Sequence, residues 1–267
     1  MVIFIILIVL VVLYLLCLRG RSNHPGMKAL QGYSYAHRGL HDDMLPENSL
    51  AAFEAAVKHG FGMELDVHLL KDGSLAVIHD SLLLRTTGAL GRVEDLTADD
   101  LPNYRLQGTG QTIPAFPQVL ELVQGKVPLI VELKTADGNY AQLCQKVCSL
   151  LDGYNGLYCI ESFDPRCVLW LKKHRPDMIR GQLVENFLAS KGSVPWILKF
   201  LLTHQLTNFL LRPDFVAHKF ADRKLPGNFL VRKLWRVQGV SWTLRTPEEY
   251  RTATEEGYIP IFENFLP

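Results

Sequence analysis

The sequence predicts a single TIM-type (β/α)8 barrel, a closed ring of parallel strands each followed by a helix. Three observations carry that prediction. From Tyr33 to Phe262, strand-like apolar runs alternate with segments of helical period, the pattern of consecutive βαβ units. A length of 267 residues suits one barrel of roughly 250 residues better than two smaller domains. Histidines, an arginine and carboxylates fall at or near the ends of strand-like runs, where barrels of this kind carry their chemistry.

The elements follow in order. Tyr33 to Ala36 is the first strand and delivers His37 at its end. Asn48 to His59 is a helix, with Leu50, Phe53, Ala56 and Val57 on one face and Gly60 after it. Phe61 to Val67 is the second strand, where Glu64 and Asp66 stand two apart and so share a face. Lys71-Asp72-Gly73-Ser74 reads as a turn before a short strand, Leu75 to Ile78, closed by His79. From there to about Thr112 lie short turns and a helical start at Thr97, which predicts a small insertion between the second strand and its helix. Phe116–Val123, Tyr140–Leu151, Cys167–His174 and Pro247–Glu256 read as helices. Pro128–Lys134, Leu157–Glu161, Met178–Leu183, Pro213–Ala217, Val237–Thr243 and Tyr258–Phe262 read as strands. The segment 194–211 is amphipathic and predicts one helix, either an outer barrel helix or one resting on a membrane surface.

Val2 to Leu18 is an unbroken apolar run followed by Arg19, Arg21 and Lys28. It lies at the short end of the roughly 17–25 residues that span a bilayer. No charge precedes it and no small-residue cleavage site follows, unlike a secretory signal. The expected organisation is a transmembrane anchor over 1–20, a polar linker over 21–32 and the barrel over 33–267. Basic residues after the span place the barrel on the cytoplasmic side. A net charge of +1 gives no basic face for nucleic acid, and no protein partner is implied. Five cysteines sit within apolar patterns and imply neither a disulfide framework nor a zinc site.

Four short motifs occur in order: His37-Arg38-Gly39, Pro46-Glu47-Asn48-Ser49, Glu64-Leu65-Asp66 and His79-Asp80. Arg85-Thr86-Thr87, Val131-Glu132-Leu133-Lys134 and Ser162-Phe163 follow. With these residues the chain resembles the glycerophosphodiester phosphodiesterase family, over roughly Tyr33 to Phe262. The end departs from the pattern: a GVDGIITD-like strand is usual, whereas Gly257-Tyr258-Ile259-Pro260-Ile261-Phe262-Glu263 stands here. Pro260 is awkward in a strand because it cannot donate to the ladder.

The residue types suit that chemistry. A phosphodiester repels nucleophiles with its anionic oxygens, so a catalyst must neutralise charge, direct a nucleophile and protonate a leaving alkoxide. Glu64, Asp66 and Glu132 are hard oxygen donors suited to Mg²⁺ or Ca²⁺, which stabilises charge on phosphoryl oxygens. Out of context, two such carboxylates are more often paired with arginines. His37 and His79 titrate near neutrality, as a general acid and base require. Arg38 offers a planar fork for phosphate, and Lys134 a point charge. Glu47 and Asn48 read equally as helix caps or as neighbours of the metal. Trp242 reads equally as a substrate wall or a packing residue. His41, His59 and His68 match no motif position, though His68 lies two past Asp66.

The resemblance implies hydrolysis of glycerophosphodiesters to glycerol 3-phosphate and an alcohol, the substrate's own hydroxyl attacking phosphorus through a cyclic phosphate. A lysophospholipase D acting on lysophospholipids is the nearest alternative. A catalytically silent membrane-bound binding barrel is another, and intact metal and acid–base positions argue against it. A sugar isomerase or aldolase on the same fold would not explain His37-Arg38-Gly39, Glu64-Leu65-Asp66 and His79-Asp80 together.

Overall fold

The computed structural model describes residues 1–190 and 195–267. Among the described residues nine strands form one sheet: β1 (Tyr35–Ala36), β2 (Gly62–Leu69), β3 (Leu75–Val77), β4 (Leu129–Leu133), β5 (Tyr158–Ser162), β6 (Arg180–Val184), β7 (Phe215–Lys219), β8 (Gln238–Leu244) and β9 (Ile259–Phe262). Eight are parallel and run β1-β9-β8-β7-β6-β5-β4-β2, with β1 pairing β2 to close the ring. Among the described strands only β3 is antiparallel; it forms a hairpin with β2 and opens the insertion expected at this place. Leu70, Ile78, Val93, Leu101 and Leu106 give that insertion a small core of its own.

The main helices are α3 (Leu50–Lys58), α5 (Phe116–Val123), α6 (Tyr140–Leu151), α7 (Pro165–His174), α10 (Pro226–Trp235) and α11 (Pro247–Glu255). The apolar faces of all but α10 meet the outer faces of the strands in one continuous core around Phe53, Leu65, Val131, Phe116 and Leu171; α10 packs Val231 in a separate cluster with Val184, Val216 and Val237. A second cluster fills the barrel itself, with Ile130, Cys159, Leu183, Phe215 and Ala217 pointing inward. Gly181 is required there, since a Cβ would lie 2.2 Å from the Phe215 ring. The last strand forms despite Pro260: the ladder between β8 and β9 slips between Ser241 and Leu244. Pairing resumes when the Glu263 amide donates to the Leu244 carbonyl at 3.0 Å.

Two expectations need correction. The N-terminal run forms α1 (Val2–Cys17), a helix of 16 residues, about 24 Å long at 1.5 Å per residue against a hydrocarbon core of about 30 Å. No helix among the described residues is long and apolar enough to cross a membrane. The structure therefore does not support the expected transmembrane anchor, on which the cytoplasmic placement rested. The end of the run is instead tied to the barrel: Leu18 is buried with Val184, Val216, Val231 and Val237, and the Trp235 indole donates to the Leu15 carbonyl at 2.8 Å. The stretch expected as a linker contains α2 (Met27–Leu30), whose Met27 and Leu30 join the cluster inside the barrel.

The second correction concerns 194–211. Position 194 lies outside the described residues, and the remainder is two short helices, α8 (Trp196–Thr203) and α9 (Asn208–Leu211). Gln205 takes a left-handed φ of 55° between them. At this junction the buried Gln205 side chain donates to Asn228 of α10 and accepts from Asn208, which ties the break to α10. Helix α10 itself had no counterpart in the sequence reading, because Pro226 and Gly227 at its start resemble a turn.

His218 on β7 is buried; its Nδ1–H donates to the Lys219 carbonyl at 3.0 Å, and burial depresses its pKa to about 4. The unfolded chain takes up a proton below about 6.5 while the fold refuses it, so this contribution is full above pH 6.5 and is lost as pH falls toward 4. His218→Phe is expected to flatten that limb of a stability–pH curve, by on the order of 3 kcal/mol at its foot, in urea titrations at successive pH values.

Candidate active site

Strand register builds the site. Asp66 of β2 pairs with Glu132 of β4, and Glu132 with Glu161 of β5. In-register residues on parallel neighbours point the same way, so three carboxylates stand in a row, with Glu64 two residues earlier on the same face of β2. All four are buried. One oxygen each from Glu64, Asp66 and Glu132 lies within 4.8 Å of the others.

Cations hold part of this charge. The Lys134 ammonium is 3.0 Å from Asp66 Oδ1 and 2.7 Å from Glu132 Oε1, and Arg38 Nε is 3.4 Å from Asp66 Oδ2. Asn48 Nδ2 donates to the same oxygen at 2.8 Å. These partners overcome burial and hold Asp66 well below the usual carboxylate range. Burial, reinforced by its neighbours' charge, pushes Glu64 and Glu161 well above that range. Burial also raises Glu132 to about 7, against the pull of Lys134. Glu161 Oε2 has no hydrogen-bond partner among the described residues.

The turn after β1 carries the first motif. The His37 amide donates to the Phe262 carbonyl at 2.9 Å, fixing it against β9. Arg38 and Gly39 follow with φ of 56° and 82°, and a Cβ on Gly39 would meet the Ala52 carbonyl carbon at 2.9 Å. Glycine is thus needed for both backbone conformation and approach to α3. The Arg38 amide donates to Glu64 Oε2 at 3.2 Å. Glu47 accepts from Arg38 at 2.9 Å and from Arg85 at 2.7 Å. Ser49, not Glu47 or Asn48, caps α3, accepting from the Ala52 amide; Glu47 instead accepts from Arg38 and Asn48 donates to Asp66.

His79 follows β3 at the barrel mouth. Its Nδ1 is 2.6 Å from Asp80 Oδ1, and Asp80 is held in turn by Arg85. Burial lowers the His79 pKa to about 4, outweighing Asp66. His68 is not a metal-cluster neighbour but a support: Nδ1 is 2.9 Å from Glu94 and Nε2 is 3.2 Å from the His79 carbonyl. His59 bonds its own helix.

A cleft of about 300 Å³ brings together His37, Arg38, Glu64, His79, Glu132 and Trp242. Asp66 and Lys134 pair with the cluster without lining the cleft. Trp242 lines the cleft and stacks edge-on to Phe163 at 5.7 Å. Sequence reading missed Glu161, Glu185 and Lys219, which line the same cleft, and Glu263, whose Oε2 is 2.5 Å from His37 Nδ1. For Glu161 a signal existed: it stands one residue before the end of β5, as Glu132 does in β4.

Two imidazoles, a guanidinium and a carboxylate cluster at the C-terminal mouth of a parallel barrel define a class, enzymes that act on anionic esters. The comparisons narrow it. The model of the glycerophosphoryl diester phosphodiesterase family matches residues 37–266, and the chain belongs to that family, a family of phosphoric diester hydrolases. A glycerophosphodiester phosphodiesterase of Caldanaerobacter subterraneus subsp. tengcongensis is 34% identical over 171 residues, covering 60% of this chain and 68% of that protein. A lysophospholipase D of Rattus norvegicus is 36% identical over 132 residues, covering 45% of this chain and 40% of that protein. A phosphodiesterase of Oleispira antarctica, solved in complex with sn-glycerol-3-phosphate, superposes with a TM-score of 0.71 at 21% identity, covering 86% of this chain and 92% of that one. That last likeness is one of fold.

Removing Lys134 leaves Asp66 and Glu132 facing each other without their shared cation. Lys134→Met is expected to cost about 3–5 kcal/mol of stability in chelator, the scale for orphaning a buried charge, as measured by urea denaturation at pH 8.

Proposed function

We propose that the protein hydrolyses glycerophosphodiesters to glycerol 3-phosphate and an alcohol, with a divalent cation, Mg²⁺ or Ca²⁺, held by Glu64, Asp66 and Glu132. The observation that carries this reading is the in-register row of buried carboxylates with both histidines on the same cleft. The residues fit a cation. Four carboxyl groups share two cations, Arg38 and Lys134, which leaves Glu64 and Glu161 pushed toward the protonated form, and one buried oxygen of Glu161 has no hydrogen-bond partner among the described residues. When bound, the ion supplies charge stabilisation to the phosphoryl oxygens.

The chain's own groups do the rest. Arg38 binds the phosphate through its fork, and Lys134 keeps Asp66 ionised while adding positive charge beneath the phosphate. His37, neutral because burial lowers its pKa, accepts the proton of the substrate's free glycerol hydroxyl as that oxygen attacks phosphorus. His79 gives a proton to the departing alkoxide, a cyclic phosphate forming as the phosphorus–oxygen bond to the alcohol breaks. Water then attacks the cyclic phosphate and loses a proton to His79, and His37 returns its proton to the glycerol oxygen. Both histidines end as they began. The depressed His79 pKa of about 4 rises when the substrate's negative charge enters the cleft, as a nearby anion favours imidazolium. Trp242 and Phe163 form the apolar wall beside the glycerol or the leaving alcohol.

A lysophospholipid, giving lysophosphatidic acid, is the second reading. It is supported by Trp196 and Ile197, each 68% exposed on a helix that Lys199 ties to the loop after β6 through the Ser190 carbonyl.

Release of glycerol 3-phosphate from glycerophosphocholine, and of lysophosphatidic acid from a lysophospholipid, tests both readings in parallel. Chelator is expected to abolish turnover, and His37→Ala or His79→Ala to lower kcat about 10²–10⁴-fold; turnover unaffected by chelator would refute the metal-dependent mechanism. A ligand at 100 times its Kd adds about 2.7 kcal/mol. The preferred ion is therefore expected to raise Tm by several degrees, and Glu64→Gln to remove that rise in thermal scans.

A further inference from the structure

The segment that departs from the family pattern ends in Glu263, and that residue meets a histidine of the site. Glu263 Oε2 lies 2.5 Å from His37 Nδ1. An ionised carboxylate can only accept, so the imidazole is the donor through Nδ1–H. Glu263 is ionised: burial would raise its pKa, but its hydrogen bond with His37 and the charges around it hold it well below the usual range. Its other oxygen accepts from Arg245 Nε at 3.0 Å, which anchors the carboxylate from the strand end after β8. His41 Nε2 stands 3.9 Å away, at ion-pair rather than hydrogen-bond distance.

With Nδ1 engaged, Nε2 of His37 points into the cleft, 3.9 Å from Glu64 Oε2. The arrangement repeats at the second histidine, where Asp80 takes the Nδ1 side of His79 at 2.6 Å. Asp80 comes from the residue next in sequence; Glu263 comes from 226 positions away. We propose that Glu263 is a positioning residue that fixes the Nδ1–H tautomer of His37 and turns its bare Nε2 toward the substrate hydroxyl. The hydroxyl part of this statement rests on the reading of His37 as a proton acceptor; the tautomer part does not.

The test uses the full-length protein with ¹⁵N-labelled histidine, read at one pH by long-range ¹H–¹⁵N correlation, which distinguishes a protonated from a bare ring nitrogen. In the unsubstituted protein His37 is expected to show a protonated Nδ1 and a bare Nε2. In Glu263→Ala that single tautomer is expected to be lost, while the signals of His68, held by Glu94, stay in place and report an intact fold. An unchanged His37 tautomer in a folded Glu263→Ala would overturn the proposal. Should Glu263→Ala not fold, Glu263→Gln answers the same question. A glutamine amide can accept from Nδ1–H or donate to a bare Nδ1, so it no longer dictates the tautomer, and an unchanged single Nδ1–H form there would equally overturn it. Where turnover is measurable, Glu263→Ala is expected to lower kcat about 10²-fold, the low end for general base catalysis, with KM little changed. Arg245→Ala, which removes only the anchor, is expected to have a smaller effect. A tautomer change without any turnover in the unsubstituted protein would uphold the positioning role and count against the proposed reaction instead.

Discussion

Like charges buried side by side are the constraint on which the rest depends. Parallel register aligns Asp66, Glu132 and Glu161 across three strands, and no rotation of a single side chain can relieve their repulsion. Beneath them lies a packed apolar layer, from Ile130 and Leu183 down to Met27 and Leu30, which strengthens the repulsion rather than screening it. Lys134, Arg38 and Asn48 converge on Asp66 from above and beside it. Asp66 is thereby kept ionised while Glu64 and Glu161 are pushed toward the protonated form. The unequal treatment of four chemically similar groups arises from where two cations and one amide fall.

Much of the fold and site was legible in the sequence, and the reason is locality. Strand and helix periods repeat within about ten residues, and the motifs around His37, Glu64 and His79 each sit on one turn or strand. The residues that escaped are those whose meaning lies in pairing across the molecule. Glu161 becomes a site residue only through the register of β5 with β4, and Glu263 only through closure of β9 on β1. The Asn48 side chain looked like a cap because its neighbour Ser49 holds that role one position later.

Errors had the same origin in reverse. An apolar run at the N-terminus has the composition of a spanning helix, yet its last residue is committed to a crevice between barrel strands and α10. Amphipathic spacing across 195–211 does not register Gln205, whose buried amide bonds Asn228 of α10 at the break between the two short helices. Periodicity reports which face is apolar; it does not report what a buried polar group must find.

His37 belongs to the barrel proper, whereas His79 is carried by the insertion. Ile78, the residue before His79, is packed in the insertion's own small core with Val93 and Leu101, and the two bodies are joined across the cleft by the chain of charges Arg38, Glu47, Arg85 and Asp80. The spacing of the two imidazoles is therefore a property of how two cores dock, not of the strand that bears either one. Such a design separates ring geometry from fold: the insertion can drift in sequence and alter the gap between the imidazoles while the carboxylate row, locked by strand register, stays where it is.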